Sequence, residues 1–274
     1  MKAIKLASVF AVTAVAAAVS TVSVAAEAPP AVFTGYAGLV YQGGEGKTDG
    51  TKSKGEVNII ADTGVVYFDV DMVNGAFVLD EAYVKQGAVS FGDFDGSLSD
   101  SAVMYGGVEE GNDYSTDLGI TLGVRYQVMD GLKVAVEAVE NNKDVFLAAA
   151  YTMPIGPASL TVSGAFGNTD DTTQTVAVGV SVPAGEMITF EAYTQSGKNN
   201  GASLSSIGAG VDVALSDALT LSAAFLDDTE TDADDSVTEV SLFYTAGDLT
   251  YYATTLQYAE DGKDYSLVGV KASF

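Results

Sequence analysis

The stretch Leu118-Gly119-Ile120-Thr121-Leu122-Gly123-Val124-Arg125-Tyr126-Gln127 alternates without a break. In an extended chain Leu118, Ile120, Leu122, Val124 and Tyr126 share one side, and Gly119, Thr121, Gly123, Arg125 and Gln127 the other. The first side is apolar; the second, with its guanidinium and amide, is not the lining of a protein core. The same split recurs as Leu132, Val134, Val136, Ala138 against Lys133, Ala135, Glu137, as Ile188, Phe190, Ala192 against Thr189, Glu191, Tyr193, and as Val240, Leu242, Tyr244 against Glu239, Ser241, Phe243. Period two repeated along a chain predicts an all-β fold of half-solvated strands. A soluble sandwich would have to bury each apolar face against a second layer. A membrane barrel turns that face to lipid and the polar face to a lumen.

Sixteen such segments are expected, beginning near residues 32, 55, 65, 78, 87, 117, 131, 144, 158, 173, 186, 203, 218, 236, 248 and 264. Tight turns at Met129-Asp130-Gly131, Ile155-Gly156-Pro157, Ser216-Asp217 and Gly247 alternate with hydrophilic loops at Gly43 to Ser53, Asn168 to Thr173, Ser196 to Ala202 and Asp227 to Asp235. Short turns on one rim and longer loops on the other are the rhythm of a closed antiparallel barrel. The connection from about Asp95 to Thr116 is the longest, a length that is usually functional or disordered.

Residues 1–26 carry Lys2 and Lys5, an apolar run from Leu6 to about Val19 and the small-residue site Val24-Ala25-Ala26, the pattern of a secretory signal peptide cleaved before Glu27. The expected mature chain, 27–274, is one domain with neither a proline-rich linker nor a compositional break. Its leader removes two lysines and no acid, so the formal charge of −25 becomes −27, with 37 acidic and 10 basic residues. That balance excludes nucleic acid and phosphate-rich partners, which need Lys and Arg; small hydrophilic solutes and cations are the natural partners. There is no Cys and no His, which removes Ser-His-Asp chemistry and His-ligated zinc. No paired-acid catalytic motif stands out, so no enzyme, cofactor or metal is expected.

Several segments resemble the general porins of Gram-negative bacteria. Phe33-Thr34-Gly35-Tyr36-Ala37-Gly38-Leu39-Val40-Tyr41 is similar to their opening strand and Lys54-Gly55-Glu56 to the start of their second. Ala82-Tyr83-Val84 through Ser90-Phe91-Gly92-Asp93-Phe94-Asp95-Gly96 is similar to the segment before their third loop, and the alternating Tyr265 to Phe274 resembles their assembly signal, with Phe274 last. The resemblance implies a sixteen-stranded transmembrane antiparallel β-barrel in the outer membrane, with short periplasmic turns, a long third loop folded into the lumen and a homotrimeric assembly. Membrane lipids and lipopolysaccharide would be its surroundings. In that family acids on the loop face arginines on the wall. Here Arg125 is the sole arginine, and Asp80 or Glu81 falls where a wall arginine is expected.

On the loop, Glu109, Glu110 and Asp113 beside Met104-Tyr105-Gly106-Gly107-Val108 are the candidate constriction residues; a solvated acidic loop is the other reading. On the wall, Tyr67, Asp69 and Asp71 share a side opposite Val66, Phe68, Val70 and Met72. Asp80 and Glu81, being adjacent, are expected on opposite faces, one deep in the lumen and one near a rim. Arg125 and Lys133 share the lumen side near Asp130 and can pair with wall acids. A field set by these acids favours cations. Phe33, Tyr41, Tyr151, Tyr252, Tyr258 and Phe274 are candidate interfacial aromatics. The run Asp227 to Asp235 fails as an EF-hand for want of the sixth-position Gly and closing Glu, leaving loose divalent binding or plain solvation. A diffusion porin with cation preference and a closed barrel serving adhesion, reception or structure both remain open.

Overall fold

A computed structural model describes residues 31–73, 76–103, 120–139, 144–167, 173–199, 201–228 and 235–274; the expected signal peptide, residues 1–26, and Glu109, Glu110 and Asp113 lie outside them. The strands run in chain order as β1 (Val32–Gly44), β2 (Lys47–Asp62), β3 (Val66–Val73), β4 (Ala76–Gln86), β5 (Val89–Asp93), β6 (Ile120–Met129), β7 (Leu132–Val139) and β8 (Val145–Ile155). The second half comprises β9 (Ala158–Gly167), β10 (Thr173–Pro183), β11 (Ile188–Asn199), β12 (Ala202–Ser216), β13 (Leu219–Asp228), β14 (Asp235–Ala246), β15 (Leu249–Tyr258) and β16 (Tyr265–Ser273). Each pairs antiparallel with its sequence neighbours, and β1 pairs with β16 to close a sixteen-stranded barrel.

Closure is local chemistry at the two ends of the sheet. Leu39 stands opposite Val270 in the β1–β16 ladder. Beyond it, the Gly35 N–H donates to Phe274 O at 3.2 Å and the Phe274 N–H to Gly35 O at 3.0 Å. A Cβ on residue 35 would collide with Glu56 O and stand 3.0 Å from Phe274 Cζ, so only glycine fits between the β2 backbone and that ring. With no edge left, every strand finds ladder partners on both sides.

The alternation read from the sequence becomes an inside and an outside. Leu147, Phe166, Val176, Phe190, Ile207, Leu242 and Tyr244 point outward and are exposed, Leu147 at 63 %. Leaving such side chains in water forfeits about 1.5–3 kcal/mol each, so this surface is built for an apolar solvent. Phe33, Tyr41 and Phe274 are exposed on that outer surface too, whereas Tyr252 is buried at 6 % and packs inside with Tyr258. Those two are therefore not interfacial aromatics, because β15 turns its even-numbered residues inward.

Two expected loops are strand instead. Residues 47–53, expected as loop, extend β2 and pair with β1, Lys52 opposite Val40 and Thr51 opposite Tyr41. Ser196 to Asn199 likewise extend β11 against β12. Polar residues there do not signal a break in pairing: a strand above a hydrocarbon band has no need of an apolar face.

The inward face is only partly wet. Val40, Tyr193, Leu226, Val237, Tyr252, Leu256, Tyr265 and Leu267 form a buried cluster inside the barrel, with Val103 and Phe243 packed against it. A wholly polar inner face does not describe the β11–β16 side, where this apolar cluster packs beside buried Gln195, Glu239 and Ser241.

Candidate functional site

The chain that follows β5 turns into the barrel and is pinned to its wall, residue by residue, from Phe94 to Val103. Phe94 enters between the Tyr83 ring, centroids 4.7 Å apart, and the Arg125 guanidinium, 3.9 Å from its ring centre. Its backbone N–H donates to Thr121 O at 2.8 Å. Asp95 N–H donates to Glu81 Oε1 at 2.9 Å, and Arg125 Nη2 donates to Gly96 O. Ser97 caps a single 3₁₀ turn, Leu98–Asp100, its hydroxyl accepting from Ser99 N–H.

Glu137 on β7 is the hub. It is 1 % exposed, accepts from the Ser97 hydroxyl and from Leu98 N–H at 3.0 Å, and its Oε1 lies 3.3 Å from Arg125 Nη2. A carboxylate so enclosed is tolerable because two hydrogen-bond donors and one cation satisfy its lone pairs. Further along, Ser163 on β9 accepts from Ala102 N–H at 3.1 Å and donates to Ser99 O, while Gln195 Nε2 on β11 donates to Asp100 Oδ1 at 3.2 Å.

The wall admits this segment because its inward side chains are small. Leu98 beds against Ala135, Ala148, Ala150 and Ala165. Gly179 on β10 receives the Ala102 carbonyl in the space a Cβ would fill. Alternation marked Ala135 as inward, and the structure adds Ala148, Ala150, Ala165 and Gly179 to the same inner face. That these inward positions carry alanine and glycine where a water-lined wall would carry longer polar side chains is the signal of a docking strip.

Opposite stands an acidic wall. The β2–β3 and β3–β4 registers set Asn58 against Asp71, Ile60 against Asp69, and Asp69 against Glu81. The expectation that Asp80 and Glu81 take opposite faces fails. A β-bulge between the Asp69–Glu81 and Val70–Leu79 pairs leaves Asp80 as the extra residue, which breaks strict alternation. Asp80 then feels the charges of Asp71, Glu81, Asp93 and Asp95. Asp69 and Asp71 likewise have carboxylates acting on them, Glu56 among them, and Asp95 of the inward segment acts on Asp71.

Arg125 and Lys133 sit on the inward faces of β6 and β7, Arg125 opposite Ala135 and Lys133 opposite Gln127. Arg125 is consumed by Glu137, Gly96 and Phe94, so it is part of the scaffold. Tyr67 is not isolated: its ring stacks on Tyr83 at 4.9 Å, so Tyr67, Tyr83 and Phe94 form a continuous aromatic stack that spacing in the sequence did not reveal.

No family model matches the chain, and no curated protein matches it. Solved structures do. A porin refined at 1.8 Å resolution superposes with a TM-score of 0.65 at 12 % identity, over 89 % of this chain and 100 % of that one. Salmonella typhi OmpF, in complex with daunomycin, gives 0.64 at 10 % identity, over 89 % and 97 %. The trimer form of OmpT, an outer membrane protein of Vibrio cholerae, gives 0.59 at 15 % identity, over 89 % and 98 %. At these identities the likeness is one of fold, and the chain has the sixteen-stranded transmembrane β-barrel fold of the porins.

Proposed function

We propose that this chain is an outer-membrane diffusion porin of a Gram-negative bacterium, a passive water-filled channel for small hydrophilic solutes with a preference for cations. Export on residues 1–26, assembly as a homotrimer and contact with lipid and lipopolysaccharide belong to the same reading. The observation that carries it is the acidic wall of β2–β4: Asp69 stands opposite Glu81, Asp80 is the bulge residue beside Glu81, Asp71 follows two residues on from Asp69, and Asp95 N–H is held by Glu81. Such a wall concentrates cations in a narrow passage and excludes anions. The barrel fold and its inward-turned segment support the channel itself.

Current across a planar bilayer under a salt gradient tests it. The wild-type reversal potential is expected to have the cation-selective sign; absence of conductance removes the channel, and the opposite sign removes the acidic filter. A charge about 10 Å from the pore axis is worth about 0.4 kcal/mol in water, cut to about 0.15 at a Debye length. Asp69→Asn, Asp71→Asn and Glu81→Gln together are therefore expected to lower the cation-to-anion permeability ratio about fivefold. For the loop, Glu109→Gln, Glu110→Gln and Asp113→Asn together are expected to lower it further, and an unchanged ratio would assign those acids to the solvated outer surface.

One observation favours a second reading. The apolar cluster of Val40, Leu226, Val237, Leu256 and Leu267 fills part of the interior, as in a non-conducting barrel that serves adhesion, reception or structure. The same recording separates the two.

A further inference from the structure

Three of the ten basic residues outside the leader meet at one recess. Lys85 on β4, Arg125 on β6 and Lys133 on β7 line a cavity of about 390 Å³ inside the barrel beside the β4–β5 turn, together with Glu81, Tyr83 and Gln127. That volume lies in the range of small-molecule sites, which run from about 300 to 1,000 Å³. In a chain this acidic, such a concentration of bases at one concavity calls for a partner of opposite charge.

The donors are partly uncommitted. Lys133 is exposed and makes no ion pair among the described residues. Lys85 pairs with Asp62 at 2.7 Å, but both are substantially exposed, 32 % and 47 %, and such a pair is worth about 0–1 kcal/mol and is readily exchanged. Arg125 keeps its guanidinium on Glu137 and Gly96 with its Nε buried, so it lends the recess positive charge but no donor of its own.

The remaining polar groups of the recess ask for hydroxyls. Gln127 spends its Nε2 protons on the Met129 and Leu132 carbonyls, leaving Oε1 as an acceptor. Glu81 accepts from Asp95 N–H and from the Tyr67 hydroxyl, and a carboxylate with about four lone-pair sites keeps room for a further donor. Tyr83 is a fixed platform between Tyr67 and Phe94, with Lys85 Nζ 5.5 Å from its ring centre. A bare polyanion would be repelled by Glu81, and a neutral sugar would leave the bases unanswered. A carboxylate on a polyol body satisfies both ends.

We infer that this recess binds small hydroxylated carboxylates, sugar acids being the simplest, with the carboxylate toward Lys85 and Lys133 and hydroxyls toward Glu81 and Gln127. The site rests on the barrel and not on its conductance, so it is tested without current. Calorimetric titration of the refolded full chain in detergent is expected to give gluconate an affinity about tenfold above that of glucose, a difference of about 1.4 kcal/mol. Lys85→Gln with Lys133→Gln is expected to remove that advantage and leave glucose unchanged. Lys133→Gln alone, at an exposed position that makes no ion pair, is expected to lower gluconate affinity about threefold with the fold intact. Equal binding of glucose and gluconate, acetate competing as well as gluconate, or an unaltered double variant would each overturn the site, and none of them bears on the bilayer recording that tests the channel.

Discussion

Replacing Glu137 by alanine is expected to cost about 3 kcal/mol or more of unfolding free energy, read as a lower urea midpoint for the barrel in detergent. Three groups lose their acceptor at once: the Ser97 hydroxyl, Leu98 N–H and the Arg125 guanidinium. Arg125 is only 18 % exposed, so its charge is left unanswered where water solvates it poorly. Removing one partner of a buried pair is far worse than removing both. Arg125→Met in the Glu137→Ala background is therefore expected to recover part of the loss. If the single and double variants are equally unstable, the hydrogen bonds to Ser97 and Leu98, and not the unpaired cation, carry the effect. If neither changes the midpoint, Glu137 is not the anchor of the inward segment.

The second large effect comes from one methyl group. Gly179→Ala places a Cβ onto the Ala102 carbonyl oxygen, and backbone lies on both sides of the overlap, so no rotamer change relieves it. The inward segment must then lift from β9–β11. It would surrender the hydrogen bonds of Ser163 to Ser99 and Ala102 and of Gln195 to Asp100, about 1 kcal/mol each. Lifting Leu98 from its alanine bed adds about 1.5–3 kcal/mol. The expected result is protease cleavage within residues 94–103 that wild type resists, at a conserved overall strand content. Ala177→Gly, two residues away on the same inward face, opens space without crowding the segment and is expected to leave the cleavage pattern unchanged. In the channel reading, the displaced segment narrows the bore, so single-channel current falls; cleavage equal to wild type would show that the strand yields instead.

Apart from the Arg125–Glu137 pair, the hydrogen bonds that both variants act on join residues 39 to 95 positions apart in the chain, and that separation explains what could be read beforehand. Strand count, strand order and the division into inner and outer faces follow from a period of two, which each segment carries within itself. The starts expected near 32, 158 and 173 coincide with β1, β9 and β10. The start expected near 55 lay eight residues late for β2 because polarity was taken for a loop. Asp69 and Asp71 were legible as inward neighbours by the same parity, whereas Asp80 was not, since a bulge inserts one residue and resets the count.

By itself, then, the sequence determined an all-β chain of sixteen alternating segments and an apolar outer surface, both properties of residues one to ten positions apart, and a strongly acidic composition. Only the tertiary structure decided that Glu137 clasps Ser97 and Arg125, that alanines on β7–β9 bed Leu98, that Tyr67, Tyr83 and Phe94 stack, and that an apolar cluster packs inside the β11–β16 side. The physical reason is closure. Curling the sheet into a barrel brings inward faces from distant strands around one lumen, and which side chains meet there depends on register, bulges and the path of the inward segment, none of which a local period encodes.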